Sequence, residues 1–279
     1  MGIELAVLDF DGTLTDVDRE AVPAVEGWRN DVGRDLSFTP EQIQQRWLAV
    51  ESKIRADPVN YGWLRGDKII APACADPFVL ATVVTQVLFD EEGKYLNKSE
   101  RDDIIRDKFF KKNYEKAITI FKDNTDQFLS KLREMFDVCI ATNSYTLKVS
   151  EKIKQLPTNH SVIPIYGDAR KYNLQPDWTE VPESVERDGF GRPLFLRRKQ
   201  YWDILQQIMD ERKLNPEQIA VVGDIYELDL LLPEYKGMKV VLTPRESTLC
   251  SELAAVKKSP FGYVARDLEK VVKHLEAQK

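Results

Sequence analysis

The sequence predicts an α/β protein in which a parallel-sheet core is interrupted by an inserted helical domain. Three observations predict it. Short and almost wholly apolar runs, such as Leu5–Leu8, Val138–Ala141 and Ile219–Val222, read as strands buried in a sheet. Each ends in polar residues, respectively Asp9-Phe10-Asp11-Gly12, Thr142-Asn143-Ser144 and Gly223-Asp224, at the carboxyl ends where open α/β sheets place their ligands. Between the first run and the second the apolar spacing is helical throughout. The expected boundaries are residues 1–16 and 121–279 for the core and 17–120 for the insertion.

Bulk properties narrow the field. A chain of 279 residues, 43% hydrophobic and 31% charged, has the size and composition of a globular protein with a large core. A net charge of −6 and a pI near 5.3 argue against nucleic acid or an anionic membrane as the main partner. The amino terminus runs straight into the first strand without a secretory pattern, and no apolar run reaches membrane-spanning length, so the expected location is cytoplasmic. Cys74, Cys139 and Cys250 are odd in number and widely spaced, which suits a reducing compartment and no disulfide framework. Cys139, inside an apolar run, reads as a small core residue. With only His160 and His274 available, a catalytic metal is expected to be oxygen-bound, which favours magnesium.

The first strand delivers Asp9-Phe10-Asp11-Gly12-Thr13-Leu14-Thr15-Asp16. Two residues apart on extended chain, Asp9 and Asp11 point to the same side, and Gly12 lets the backbone turn. A paired carboxylate of this kind suits displacement chemistry. One group can carry a covalent intermediate that splits a difficult step into two, while the other protonates a leaving group and later activates water. A fixed Asp-x-Asp-Gly-Thr arises by chance in roughly one chain of this length in 500, so a plain polar turn is the poorer reading.

This stretch resembles the first signature of the haloacid dehalogenase-like (HAD) phosphohydrolase superfamily. The resemblance implies a Rossmann-like three-layer parallel sheet and a helical cap that closes over the active site and sets substrate choice. It also implies that Asp9 is a nucleophile attacking phosphorus and that Asp11 is the general acid and base.

The elements follow in order. Thr39-Pro40-Glu41-Gln42 has the form of a capping box with proline at the first helical position, opening a helix through Trp47 to about Ile54. Asp76-Pro77 starts a second helix into Phe78–Leu88, and Ser99-Glu100-Arg101-Asp102 a third, with Ile104, Ile105, Phe109 and Phe110 on its inner face. Trp28, Trp47, Tyr61, Trp63 and Arg65 are the aromatic and basic residues of this insertion that a substrate could touch, although core packing is the simpler role for each aromatic. A helix near Asp126–Met135 then leads to the strand Asp137–Ala141, and another helix covers Leu147–Gln155. Ser161–Tyr166 reads as an edge strand because of its proline. Residues 171–193 look irregular, with a hairpin turn at Asp188–Pro193, and Tyr201–Arg212 is helical. Strands at Ile219–Val222, Lys239–Pro244 and Gly262–Ala265 and a helix at Leu268–Glu276 complete the core.

The remaining signatures are assigned by the same resemblance. Thr142 and Asn143 match the second, whose hydroxyl and amide hold phosphoryl oxygens at a helix amino end. The third is a lysine or arginine ahead of the fourth, met by Arg197-Arg198-Lys199; Lys199 fits best, with Arg198 the alternative. Gly223-Asp224-Ile225-Tyr226-Glu227-Leu228-Asp229 matches the fourth, so that Asp224, Asp9 and the backbone carbonyl of Asp11 form a partial magnesium shell supported by Asp229 or Glu227. The expected function is magnesium-dependent hydrolysis of a small phosphorylated metabolite by a monomer or homodimer. A sugar phosphomutase, or a HAD-fold binding protein without turnover, are the alternatives.

Overall fold

The protein is described here from a computed structural model, in which residues 2–279 are described. Two compact units make up the chain, Met1–Asp16 with Phe121–Lys279, and Val17–Ile120.

The first unit is built on a six-stranded sheet. In chain order the strands of the molecule are β1 (Leu5–Leu8), β2 (Gly62–Arg65), β3 (Lys68–Pro72), β4 (Asp137–Ala141), β5 (Ile165–Tyr166), β6 (Ser184–Val185), β7 (Leu194–Phe195), β8 (Ile219–Gly223), β9 (Lys239–Leu242) and β10 (Gly262–Val264). The large sheet runs β10-β9-β8-β1-β4-β5 and every pairing in it is parallel. Counting only its own strands in chain order, this is 3-2-1-4-5-6 read from β5, the Rossmann order. The chain leaves β1 to one side for β4 and β5, then returns to the other side for β8. The strand order therefore reverses at β1, and the crevice outside its carboxyl end is where such folds bind ligands.

Alternation along β1 explains why it is buried on both faces. Leu5 and Val7 join a core with Cys139, Tyr201, Leu205, Val221 and Val240, while Ala6 and Leu8 join a second core with Leu129, Ile140, Val222 and Val271. Burying one such aliphatic side chain contributes about 1.5–3 kcal/mol, so the two cores hold the strand ends rigidly. Helices Thr125–Met135, Thr146–Ile153, Lys199–Arg212, Cys250–Lys258 and Leu268–Glu276 cover the faces. The run Ser161–Tyr166 is strand only at Ile165–Tyr166, where it pairs with the end of β4 at the sheet edge. Pro164 lies just outside the strand and contributes its carbonyl to the Ile140 N–H.

The second unit holds helices Val17–Asp35, Pro40–Ala56 and Pro77–Glu91, followed by Lys98–Ile104, a π-helical turn at Ile105–Phe110 and Lys111–Tyr114. Thr39 closes a full capping box with Gln42, and the Asp76 carboxylate accepts from the N–H groups of Phe78 and Val79 at 2.8 and 2.9 Å. The third start differs from the sequence expectation at Ser99. Asn97 is the cap, accepting from Glu100 N–H at 3.2 Å, because its amide oxygen reaches the third helical amide. The unit is also not wholly helical, since β2 and β3 form an antiparallel hairpin. Gly66, at φ +64°, turns the chain there, and the short strands carry no long alternating pattern that would reveal them. Trp28 and Trp47 are core residues, and Trp28 donates its indole N–H to Thr85 Oγ1 at 3.0 Å. Arg65 is exposed, with its guanidinium 5.6 Å from the centre of the Trp63 ring. Among the described residues no helix is long and apolar enough to cross a membrane.

Candidate active site

Three adjacent strand ends supply the polar residues. Asp9 follows β1 directly, Thr142 follows β4 and Asp224 follows β8, and the register that pairs Leu8 with both Ile140 and Val222 brings these ends level. Asp9 is locked to the sheet by its own N–H, which donates to Val222 O at 2.8 Å.

Gly12 turns the chain at φ +83°, a conformation that L side chains rarely adopt. It also packs so closely on the loop after β8 that an added Cβ would lie 2.3 Å from Asp224 Oδ2. Thr13 can then donate toward both Asp9 Oδ2 at 3.4 Å and Asp224 Oδ1 at 3.3 Å.

Asp9, Asp224 and Asp229 converge, each offering an oxygen within 4.8 Å of the others, and all three are buried. Such crowding is sustained by cations. Lys171 Nζ lies 2.6 Å from Asp9 Oδ1 and 2.9 Å from Asp229 Oδ1, and 5.1 Å from the centre of the Tyr201 ring. Arg245 Nε meets Asp224 Oδ2 at 2.6 Å. Burial pushes the Asp9 carboxyl well above the ordinary range, with Lys171 pulling it down and Asp229 and Asp224 adding to the rise. Burial likewise pushes Asp224 up to about 6 against the pull of Arg245. For Lys171 burial works against the charge, but the two carboxylates overcome it and hold the ammonium above its usual range.

The acidic cluster fits a divalent cation of the hard, oxygen-seeking kind. Its donors are carboxylate oxygens from three different elements, none is a histidine or cysteine, and they stand close enough to share one ion.

Asp11 stands apart from this cluster. Its Oδ2 accepts from Ser144 Oγ at 2.6 Å and its Oδ1 from Lys152 Nζ at 3.3 Å, so the second carboxylate faces the end of β4 and the helix after it. Thr142 is buried, and its hydroxyl accepts from Ser144 N–H at 3.2 Å. The Asn143 side chain turns to the lysine loop, where its Oδ1 accepts from Lys171 N–H at 2.7 Å. Asp229 is held by the Ile225 N–H at 3.0 Å, and its carbonyl accepts from Tyr201 Oη at 3.0 Å.

One expected residue lies elsewhere. Lys199 opens the helix Lys199–Arg212, is exposed, and pairs with Asp203 one turn on at 2.7 Å. The i, i+4 spacing keeps it on the outer face of that helix. Arg198, the alternative, is fully buried and donates through Nη1 to the carbonyl of Lys171. The cation beside Asp9 is instead Lys171, from the loop after β5. That loop folds back because Ala169 N–H donates to Thr142 O at 2.9 Å, with Asp168 and Arg170 on either side held at φ +53° and +44°. Two non-glycine residues in the left-handed region mark backbone strain, which concentrates at functional sites. Placement at a strand's carboxyl end was the available signal for Lys171. Glu227, the rival to Asp229, is engaged away from the cluster, where burial pushes its carboxyl up while its ion pair with Arg192, at 2.8 Å, pulls it down.

Residues 3–232 match the family model for haloacid dehalogenase-like hydrolases. Among solved structures, a haloacid dehalogenase-like protein of Agrobacterium tumefaciens aligns with a TM-score of 0.55 at 17% identity, covering 99% of this chain and 99% of that one. A Haemophilus somnus protein described as a predicted phosphoglycolate phosphatase gives 0.53 at 16% identity over 98% and 97%. The magnesium-bound HAD hydrolase YfnB of Bacillus subtilis gives 0.52 at 13% identity over 99% and 100%. At these identities the likeness is one of fold. No curated protein matches the chain in sequence.

Proposed function

The chain belongs to the haloacid dehalogenase-like hydrolases, and from that premise we propose that it hydrolyses a small phosphorylated metabolite, a phosphate monoester, with magnesium bound among Asp9, Asp224 and Asp229. One observation carries the reading: three buried carboxylates at the strand-order reversal, held by Lys171 and Arg245 and close enough to share a divalent cation. Attack by a carboxylate on a neutral carbon–halogen bond has no use for such a collection. Attack on a phosphate dianion does, because nucleophile and substrate repel each other.

Asp9 is the nucleophile in this reading. Its Oδ1 is engaged by Lys171, while Oδ2 faces Thr13 at a long 3.4 Å. Lys171 orients the carboxylate and compensates negative charge that builds on the transferring group. Bound magnesium supplies a further positive charge to the phosphoryl oxygens. Asp11 gives its proton to the departing alcohol oxygen, and then, ionised, takes one from the water that cleaves the aspartyl phosphate. Ser144 and Lys152 hold the Asp11 carboxylate at the end of β4. Thr142 and the amino end of the helix Thr146–Ile153 offer donors to the phosphoryl oxygens.

The test is phosphate release from p-nitrophenyl phosphate with and without magnesium, for the native protein and Asp9→Asn. Release that requires magnesium and disappears in the variant supports the reading. Chloride release from a 2-chloroalkanoate, with no phosphate release from any ester tried, would refute it.

A further inference from the structure

Arg245 takes no chemical step in the scheme above, yet it contacts a carboxylate of the proposed metal site directly. Its Nε is 2.6 Å from Asp224 Oδ2, and both side chains are buried, at 6% and 1% exposure. The same carboxylate's other oxygen faces Thr13 Oγ1 at 3.3 Å, and Gly12 packs directly against Oδ2. Both oxygens of Asp224 are thus engaged inside the protein, out of reach of water. The guanidinium is seated by its own backbone as well: Arg245 N–H donates to Thr248 Oγ1 at 2.9 Å, and Thr243 N–H to Gly223 O at 2.8 Å, which ties the arginine's segment to the end of β8.

This arrangement has two electrostatic consequences. A carboxylate already bonded to a guanidinium in a dry site gives up a charge-assisted hydrogen bond when it turns to another cation. A divalent ion placed on Asp224 would also sit within a few ångströms of a fixed positive charge, unscreened by solvent.

We propose that Arg245 is a built-in competitor for the divalent cation, holding Asp224 as its counter-ion until a metal ion displaces it. The proposal rests on the metal reading given above and adds that this chain's own arginine sets the metal affinity. The opposite role, an arginine that orients Asp224 for the metal, predicts weaker metal binding by Arg245→Gln and a guanidinium that stays protected at saturating Mg2+.

The experiment is direct binding of Mn2+ alone, by calorimetry and by the free-ion electron paramagnetic resonance signal, without substrate or turnover. The proteins are the native chain, Arg245→Gln, Arg245→Lys and Asp224→Asn. Competition requires Arg245→Gln to bind at least tenfold more tightly than native, a gain of about 1.4 kcal/mol, and Arg245→Lys to stay within threefold of native. Unchanged or weaker binding by Arg245→Gln overturns the proposal and leaves the metal reading standing. Equal binding by native and Asp224→Asn removes the metal reading and the proposal with it. Should Arg245→Gln fail to fold, the native protein still decides the matter through the Arg245 Nε–H resonance under Mg2+ titration. Loss of its protection from solvent exchange supports displacement, and full protection at saturating Mg2+ overturns it.

Discussion

Lys171→Met separates the buried lysine from the one that sequence pattern favoured. The lysine is 1% exposed and bridges Asp9 and Asp229, which are 7% and 3% exposed. Methionine keeps the stem's bulk but leaves two facing carboxylates without their shared cation. Removing one partner of a buried ion pair costs about 3–5 kcal/mol. In a protein of this size each kcal/mol moves the melting midpoint by about 2–4 °C, so the expected fall is on the order of 6–20 °C. Lys199→Met is the control. Its exposed pair with Asp203 is worth about 0.3–0.5 kcal/mol, a shift of no more than about 2 °C. Combining Lys171→Met with Asp229→Asn removes a carboxylate as well as the ammonium, and more than half of the lost stability should return. Thermal unfolding followed by circular dichroism, without divalent metal, reads all four proteins. Turnover of an aryl phosphate should fall by about 10²–10³ for Lys171→Met, as for loss of one preorganised donor, and stay level for Lys199→Met. A Lys171→Met protein that melts within 2 °C of native, or a Lys199→Met protein that falls as far, would refute the assignment.

Four other outcomes follow from the geometry. Burial pushes Glu252, which accepts from the N–H groups of Leu249 and Tyr226, up to about 7, against 4.5 for an ordinary glutamate. The folded state then holds a proton that the unfolded chain releases between those values, so stability falls as pH rises through that window and levels off above it. Urea denaturation at pH 5 and pH 7.5 should show a smaller difference for Glu252→Gln than for native protein. Gly12→Ala should abolish turnover and lower the melting point, because the new methyl group meets Asp224 and the φ of +83° becomes strained; native behaviour would contradict the close packing of the two loops. Magnesium at a hundred times its dissociation constant should stabilise the fold by about 2.7 kcal/mol, an increment that Asp224→Asn loses in a thermal shift measurement. Cys250 is exposed while Cys74 and Cys139 are buried, and burial holds the Cys139 thiol up at about 12, so a thiol reagent at pH 8 should label one cysteine rapidly in native protein and three after denaturation.

How much of this was legible in the sequence depends on the distance over which each signal acts. Strands buried on both faces announce themselves as apolar runs, which is why β1, β4 and β8 and the polar residues at their ends could be read directly. Helix caps are equally local, and the box at Thr39 and the cap at Asp76 are read from a few adjacent residues. The hairpin of β2 and β3 is short and turned by a glycine outside any long alternating pattern, so the insertion read as all-helical with only a polar stretch at this point. Lys171 is the instructive miss. Its segment has no apolar period because nothing in it is repetitive; it is held by single bonds to Thr142 and Asn143, residues far off in sequence, and by two left-handed residues whose conformation their side chains do not require. Their position one helix and a loop ahead of the fourth signature made Arg198 and Lys199 attractive, yet the lysine turns outward to Asp203 and the arginine is buried as a prop beneath the Lys171 carbonyl.

On the proposed reading, the pairing of charges around β1 would explain why one site uses both an organic and an inorganic cation. Three carboxylates directly paired with one ammonium and one guanidinium leave a single net negative charge. Each of the three carboxylates has a cationic partner. That balance is unsuitable for a phosphate dianion, which would meet like charge in a site too dry to screen it. In the proposed reading a divalent ion would add two positive charges to the cluster and so favour the anion, and removing Arg245 would take one positive charge away. Tighter metal binding by Arg245→Gln should therefore be accompanied by weaker binding of a phosphate analogue such as orthovanadate to the metal-loaded protein, measurable by calorimetry. If orthovanadate binds the metal-loaded variant as tightly as it binds native protein, the guanidinium charge is irrelevant to the anion and the charge argument fails.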